Sequence, residues 1–312
     1  MKMIISEETR IRFRSALRNL SSTIYNLLGY SERNIDAEDL RQLKNLALNL
    51  PDRVYSLYKE EVDYLAQIPA CETPIFPYPE VKARSTCSTG RENGLPYVLH
   101  KGKKLFFPIS TTEDEARISY LNYIDYEGLT GQGMLRKSPL SYVGANFKPE
   151  KGDVLIDIGS AEAVFSLDYI DDVSQVYIFE ALEKWTKPLS QTFAPYKDKV
   201  LIITKLVSSR TSGNLIRLDE AIPTRQSSTY FIKMDIEGSE FDVLTASESF
   251  LRTNKIKLAC CTYHRQDDAK NISNYLTKLG FKISFTDGYM LPPHNGIRFP
   301  YFRKAMIHAV NF

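Results

Sequence analysis

From Val154 onward, short apolar runs, acids and helical spacings follow one another in a repeating order. Val154, Leu155 and Ile156 form a continuous apolar run, the pattern of a strand buried on both faces of a parallel sheet. The run ends in Asp157. Gly159, Ser160, Ala161 and Ala163 come next, small enough for a tight turn and for close approach of backbone to a ligand. Val164, Phe165 and Leu167 then resume as the buried face of a helix. Further runs repeat the pattern: Val176 to Phe179 before Glu180, Val200 to Thr204, Phe231 to Met234 before Asp235, Glu237 and Gly238, and Leu258 to Thr262 before Tyr263, His264 and Arg265. Between them lie Lys184 to Ala194, read as a helix interrupted by Pro188, and a strand-like Leu215 to Leu218 with a helix start at Asp219 and Glu220. A helix over Asn271 to Leu279 stops at Gly280, and two final strands run over Phe281 to Phe285 and Ala305 to Val310. Strands alternating with helices make an α/β fold.

The chain before this region reads differently. Residues 1–68 carry apolar stripes at helical spacing and are expected to form a helical accessory region: Ile11 to Leu28, then Leu40 to Leu50, then a helix opened by Pro51 through Leu65. Residues 69–135 form a Pro/Gly-rich connector. It holds a hairpin of Tyr97 to Leu99 and Leu105 to Phe107, and a helix over Glu113 to Leu129 capped by Thr111 or Thr112. Residues 136–312 are the α/β domain.

Bulk properties narrow the field. A net charge of +2 and a pI near 8.2, with no long basic run, give no electrostatic case for nucleic acid or a membrane surface. No apolar stretch nears the roughly 20 residues that cross a bilayer, and the N-terminus turns charged too early for a signal peptide, so a cytoplasmic location is expected. Cys71, Cys87, Cys260 and Cys261 form no C-x-x-C pair, which argues against a structural zinc; adjacent Cys260 and Cys261 read as small apolar strand residues.

The chemistry is expected at the carboxyl ends of the strands. The turn after Asp157 is a nucleotide site or an ordinary strand-to-helix turn; only Gly159 of the G-x-G-x-x-G fingerprint is present. Glu180 lies 23 positions after Asp157, near the spacing of roughly 20 for a carboxylate on ribose hydroxyls, and would otherwise be a helix N-terminal acid. Val207, after the third strand, sits where an adenine edge could meet backbone groups. Trp185 covers a base or fills a helix–sheet contact, and Tyr142 lies over the site or packs beneath it.

The segments D-I-G-S-A-E-A-V-F-S, F-E-A, L-I-R-L-D-E, F-I-K-M-D-I-E-G-S-E and C-T-Y-H-R-Q-D-D-A together resemble the FkbM family of S-adenosylmethionine-dependent methyltransferases, over about residues 140–310. Ala163 stands where that pattern has a second glycine, and Ala161 where asparagine is common. The resemblance implies a Rossmann-like, seven-stranded class I methyltransferase sheet whose last strand is antiparallel. It implies S-adenosylmethionine as cofactor, with Asp157 near its amine, Gly159, Ser160, Ala161 and Glu162 at the turn, Glu180 and Ala181 at the ribose, and Val207 near the base. It also implies O-methylation of a small molecule or glycan.

His264, Asp235 and Glu237 are the expected catalytic residues. His264 is the leading base because its ordinary pKa of roughly 6.5 suits proton removal near neutrality. Alternatively these residues, with Asp267 or Asp268, hold a divalent cation, or His264 is merely a polar residue at a strand end. No N-P-P-Y or D-P-P-Y comes after the fourth strand, which disfavours amino-group methylation of nucleobases. A nicotinamide-dependent oxidoreductase and a non-catalytic binding module on the same fold remain the competing expectations.

Overall fold

A computed structural model describes residues 37–68, 86–131, 137–223, 228–292 and 298–312. The helix expected over Ile11 to Leu28 lies outside them. The chain divides into two compact units, Met1–Pro77 with Leu291–Phe302, and Tyr78–Met290 with Arg303–Phe312. In the first, helices run over Ala37–Leu48, Asp52–Tyr55 and Lys59–Gln67. Pro51 opens only a single turn, and Leu57 is 66% exposed, so the stripe expected from Pro51 to Leu65 is broken into two short helices. Tyr58 stacks on Phe302 with ring centroids 5.0 Å apart.

The second unit opens with a three-stranded antiparallel sheet, β1 (Thr89–Glu92), β2 (Leu95–His100) and β3 (Lys103–Phe106). The expected hairpin is its second half. Both connections are two-residue turns, Asn93-Gly94 and Lys101-Gly102, with every central φ between 50° and 81°. Such turns match the twist of the flanking strands, and Asn-Gly is their strongest sequence signal. A capping box starts the next helix, Glu113–Leu121: Thr112 Oγ1 accepts from the Glu115 N–H, and Glu115 Oε2 accepts from the Thr112 N–H. The helix does not continue as such to Leu129. It widens into a π-helical stretch, Asn122–Tyr126, which redirects the chain beyond Tyr126.

The main sheet has seven strands: β4 (Val154–Ile158), β5 (Gln175–Phe179), β6 (Val200–Ile203), β9 (Thr229–Met234), β10 (Lys255–Cys261), β11 (Lys282–Phe285) and β12 (Met306–Val310), in the order β11-β12-β10-β9-β4-β5-β6. β4, β5, β6, β9 and β10 are parallel; β12 runs antiparallel to both its neighbours. A two-stranded ladder, β7 (Leu206–Val207) with β8 (Leu215–Ile216), lies apart from it. The core is continuous and apolar, with Ile156, Ile158, Ile232, Met234, Leu258, Cys260 and Ile307 at 0–1% exposure. Cys260 and Cys261 are core residues as read, and burial pushes both thiols well above their ordinary pKa.

This order puts the switch point between β4 and β9: the chain works outward from β4 to β6 on one side, then returns to build β9 and β10 on the other. Ligands of open α/β sheets bind in the crevice beyond the strands' carboxyl ends at such a point. Two details differ from expectation. Asp157 lies inside β4 rather than at its end, so the strand extends past its apolar run. The helix Glu183–Thr192 runs through Pro188 without a break, at the cost of the one backbone bond that the missing N–H would donate.

The connector packs within this second unit. His100 Nε2 lies 2.7 Å from Asp168 Oδ1, its Nδ1 lies 3.0 Å from the Tyr120 hydroxyl, and the Lys101 ammonium is 2.5 Å from the same Asp168 oxygen. The Phe106 N–H donates to Thr192 Oγ1, and Phe107 meets Trp185 edge-on at 6.2 Å. Trp185 is therefore a packing residue. Among the described residues no helix is long and apolar enough to cross a membrane. Since Asp168 is nearly buried between the His100 ring and the Lys101 ammonium, Asp168→Asn is expected to lower stability by on the order of 2 kcal/mol, read as a reduced urea midpoint at unchanged slope.

Candidate active site at the carboxyl edge

The turn after β4 is shaped by what its neighbours leave free. Gly159 has φ +75°, and a Cβ there would stand 1.9 Å from the Asp235 carbonyl oxygen, so no other residue fits. Ala161 (φ 48°) and Ala163 (φ 58°) are both left-handed, a conformation that costs a non-glycine residue roughly 1–2 kcal/mol. The Ala163 N–H closes the turn onto the Ser160 carbonyl at 2.7 Å. Ser160 Oγ is buried and has no hydrogen-bond partner. A close-packed backbone turn with a free buried hydroxyl fits a polar nucleoside ligand.

The acids around this turn differ in their occupation. Glu180 comes directly after β5; its Oε2 accepts from the Ala161 N–H at 2.9 Å and its Oε1 from the Leu182 N–H at 2.8 Å. Burial raises its pKa. It braces the turn, and each oxygen keeps one lone pair. Asp157 is fully buried, with Oδ2 accepting from Ser166 Oγ at 2.7 Å and Oδ1 lying 3.2 Å from Lys233 Nζ. Its place within the strand sets it opposite the neighbouring strand's lysine. Burial alone would lower the Lys233 pKa, but the Asp157 and Asp235 carboxylates outweigh it and hold the ammonium charged. Glu162 is buried at the start of helix Val164–Asp168, where burial lifts its carboxyl to about 7. Ala181 lies half-buried in the loop after Glu180. Val207 is a core residue of the small ladder, packed with Leu218 and Ile222.

Beyond β9 the chain turns at Glu237 (φ 55°) and Gly238 (φ 93°) and enters helix Glu240–Ala246. Asp235, Glu237 and Glu240 then surround His264, which lies just past β10. The ring Nε2 is 3.5 Å from Asp235 Oδ1 and 3.5 Å from Glu237 Oε2; Nδ1 is 2.9 Å from Glu240 Oε1. Burial pulls the His264 pKa down, but the carboxylates of Glu240, Glu237 and Asp235 raise it more, to about 10. The ring thus carries a proton at neutral pH. The reading of His264 as the general base did not include the carboxylate of Glu240, which lies 2.9 Å from the ring. Arg303 fixes the loop by donating to the carbonyls of Tyr263 and His264. Asp268 is occupied in accepting from the Arg265 N–H.

Tyr142 donates its hydroxyl to Asp235 Oδ2 at 3.0 Å and covers the Lys233 ammonium at 5.2 Å from the ring centre. It packs beneath the acids. Two residues escaped sequence reasoning. Glu240 was legible only as a letter of the D-I-E-G-S-E block. Glu127, placed by the π-helical stretch and held by Asn122 Nδ2 at 2.8 Å, has its carboxyl raised to about 8, chiefly by burial and then by the charges of Glu162 and Asp235.

Comparison with known proteins gives a class consistent with this geometry. Residues 213–283 match the family model of the methyltransferase FkbM domain, a stretch that includes β9, the D-I-E-G-S-E turn and β10. The resemblance is thus shown for the L-I-R-L-D-E, F-I-K-M-D-I-E-G-S-E and C-T-Y-H-R-Q-D-D-A motifs, and with the seven-stranded sheet order it places the α/β part among class I methyltransferase folds. The match supports methyl transfer from S-adenosylmethionine in general. No curated protein matches the chain. Among solved structures it is similar to a methyltransferase FkbM from Methylobacillus flagellatus KT, at 20% identity and TM-score 0.43 over 53% of this chain and 45% of that one. It is also similar to a precorrin-6y C5,15-methyltransferase from Geobacter metallireducens GS-15 (12%, TM-score 0.35, 53% and 81%) and to an rRNA methylase from Streptococcus thermophilus (12%, TM-score 0.33, 52% and 87%). The chain therefore spans less than half the length of the Methylobacillus protein.

Gly159→Ala is expected to abolish binding of S-adenosylmethionine, measured by calorimetry, and to lower the thermal midpoint, because the new methyl collides with backbone. A second expectation concerns pH. Glu127 and Glu162 have folded pKa values, about 8 and about 7, above the unfolded value of roughly 4.3. The stability they contribute is complete below that unfolded value and is lost as pH rises through the folded ones. Glu127→Gln and Glu162→Gln should therefore gain thermal stability over the parent as pH increases from about 5 to about 8, in paired melting curves.

Proposed function

We propose that the chain is an S-adenosylmethionine-dependent O-methyltransferase whose acceptor is a hydroxyl of a small molecule or glycan. The observation that carries this reading is the acid-lined edge at the switch point: Asp235 and Glu237, held 3.5 Å from a protonated His264, present hydrogen-bond acceptors where an acceptor hydroxyl would enter. When bound, the cofactor supplies an electrophilic methyl on a sulfonium. The backbone of Gly159 to Ala161 and the Ser160 hydroxyl would lie against it, and Glu180 would take ribose hydroxyls on its remaining lone pairs. His264 acts by charge, fixing the flanking carboxylates. The acceptor's proton would pass to Asp235 or Glu237, the carboxylates at that edge.

The absence of the glycine fingerprint, together with the match to a methyltransferase domain, favours this over hydride transfer on a similar sheet. The test uses purified full-length protein, cofactor carrying an isotopic methyl, and separate small-molecule, glycan and RNA fractions, with products identified by mass spectrometry. Label on an oxygen of a small molecule or glycan is expected, and Glu180→Gln should weaken cofactor binding about tenfold. Label on RNA or on nitrogen would overturn the acceptor class; calorimetry showing no uptake of the cofactor or its demethylated product would overturn the whole reading.

A further inference from the structure

We propose that Asp235, Glu240 and His264 form a site for one divalent transition-metal cation. The site deepens the reading above, since it lies on the edge assigned to the acceptor, but its evidence is separate. Three elements converge on one point: the loop after β9 brings Asp235, the first turn of the adjoining helix brings Glu240, and the loop after β10 brings His264. Each offers one ligand atom, and the three atoms lie within 4.8 Å of one another. A cation with bonds of roughly 2.0–2.2 Å sets its ligands about 3–4.4 Å apart, so the constellation needs only a small contraction.

The second observation is that the buried atoms here lack the hydrogen bonds such atoms normally make. Glu240 is 0% exposed, and its Oε2 has no hydrogen-bond partner. Both ring nitrogens of His264 are buried and make no directed hydrogen bond, although Glu240 Oε1 is only 2.9 Å from Nδ1. One ring nitrogen and one oxygen from each carboxylate can serve a single cation. Buried polar atoms are rarely left so without an ion or water to engage them. The Glu240 carboxylate is itself anchored, its Oε1 accepting from the Ile236 N–H at 2.9 Å, so Oε2 is held in position and not free to turn away. The left-handed pair Glu237-Gly238 is what folds the chain back and returns Glu240 beneath Asp235.

Donor chemistry selects the ion. An imidazole nitrogen, whose proton the entering cation displaces to solvent, with two carboxylates suits Mn²⁺, Fe²⁺, Co²⁺ or Zn²⁺ better than Mg²⁺ or Ca²⁺, which take oxygen ligands. Asp235 is the one partly exposed ligand, its side chain 23% accessible against 3% or less for the other two, so the open coordination positions lie on its side. A hydroxyl bound there would be acidified directly.

The full-length protein, stripped with chelator, is titrated with Mn²⁺ followed by electron paramagnetic resonance, and with Zn²⁺ followed by calorimetry. One ion per chain is expected, with affinity at least tenfold weaker in Glu240→Gln and Asp235→Asn and retained in Glu237→Gln. Zn²⁺ should raise the melting temperature of the parent and not of those two variants. Asp235→Asn, at the half-exposed position, keeps the test decisive should Glu240→Gln fail to fold. No bound ion, or binding that survives in Asp235→Asn, overturns the site. Neither readout involves cofactor or acceptor, so failure here leaves the methyl-transfer reading standing, and a protein that binds the ion but not the cofactor would separate the two in the other direction.

Discussion

Everything at the carboxyl edge depends on a lysine buried in the sheet. Lys233 lies opposite Asp157 in the β4–β9 register, 3.2 Å from its carboxylate and 2.5 Å from the Gly159 carbonyl oxygen. Burying a charge is expensive unless it is paired and fully hydrogen-bonded. Here one ammonium meets that demand by tying together the strand before the switch point, the turn above it and the strand beyond it. Replacement of such a pair by apolar residues can leave a fold intact, so its value is geometric. It sets where Gly159 ends, and Gly159 in turn lets the Asp235 backbone come within reach of the turn.

A second consequence is electrostatic. The edge gathers Glu127, Glu162, Glu180, Asp235, Glu237 and Glu240 around two cations, Lys233 and His264. Burial raises the carboxyls of Glu127 and Glu162 toward neutrality, whereas for Lys233 and His264 the surrounding carboxylates outweigh burial and keep them charged. A site so composed favours a cationic ligand and disfavours an anionic one before any specific contact is made.

Much of this was legible in the order of residues. Continuous apolar runs ending in acids marked β4, β5 and β9, since strands buried on both faces leave no alternation and must meet polar groups where they emerge. The parts that were not legible arise from contacts between distant segments. Asp157 read as the end of a strand because a charge in a sheet core is unexpected until its lysine, 76 positions later, is known to face it. His264 read as a base because its ordinary pKa applies only without Glu240 at 2.9 Å. Glu127 fell within an expected regular helix, and only the π-helical widening aims it at the edge. The strand β1 is not legible in the apolar pattern, because T-G-R-E carries no apolar residue, and only the Asn93-Gly94 turn announces it.

The docking of β2 on the helix beyond the Gly159 turn also bears on how the molecule is assembled. That helix, Val164–Asp168, is a single five-residue segment, too short to hold itself in water. Its last residue is gripped by His100 and Lys101, which lie more than sixty positions earlier. A contact of that span must await closure of a long chain loop. The far wall of the turn is therefore among the late parts of the sheet to set, and a shortened chain retaining all seven strands would still lack the grip that finishes it.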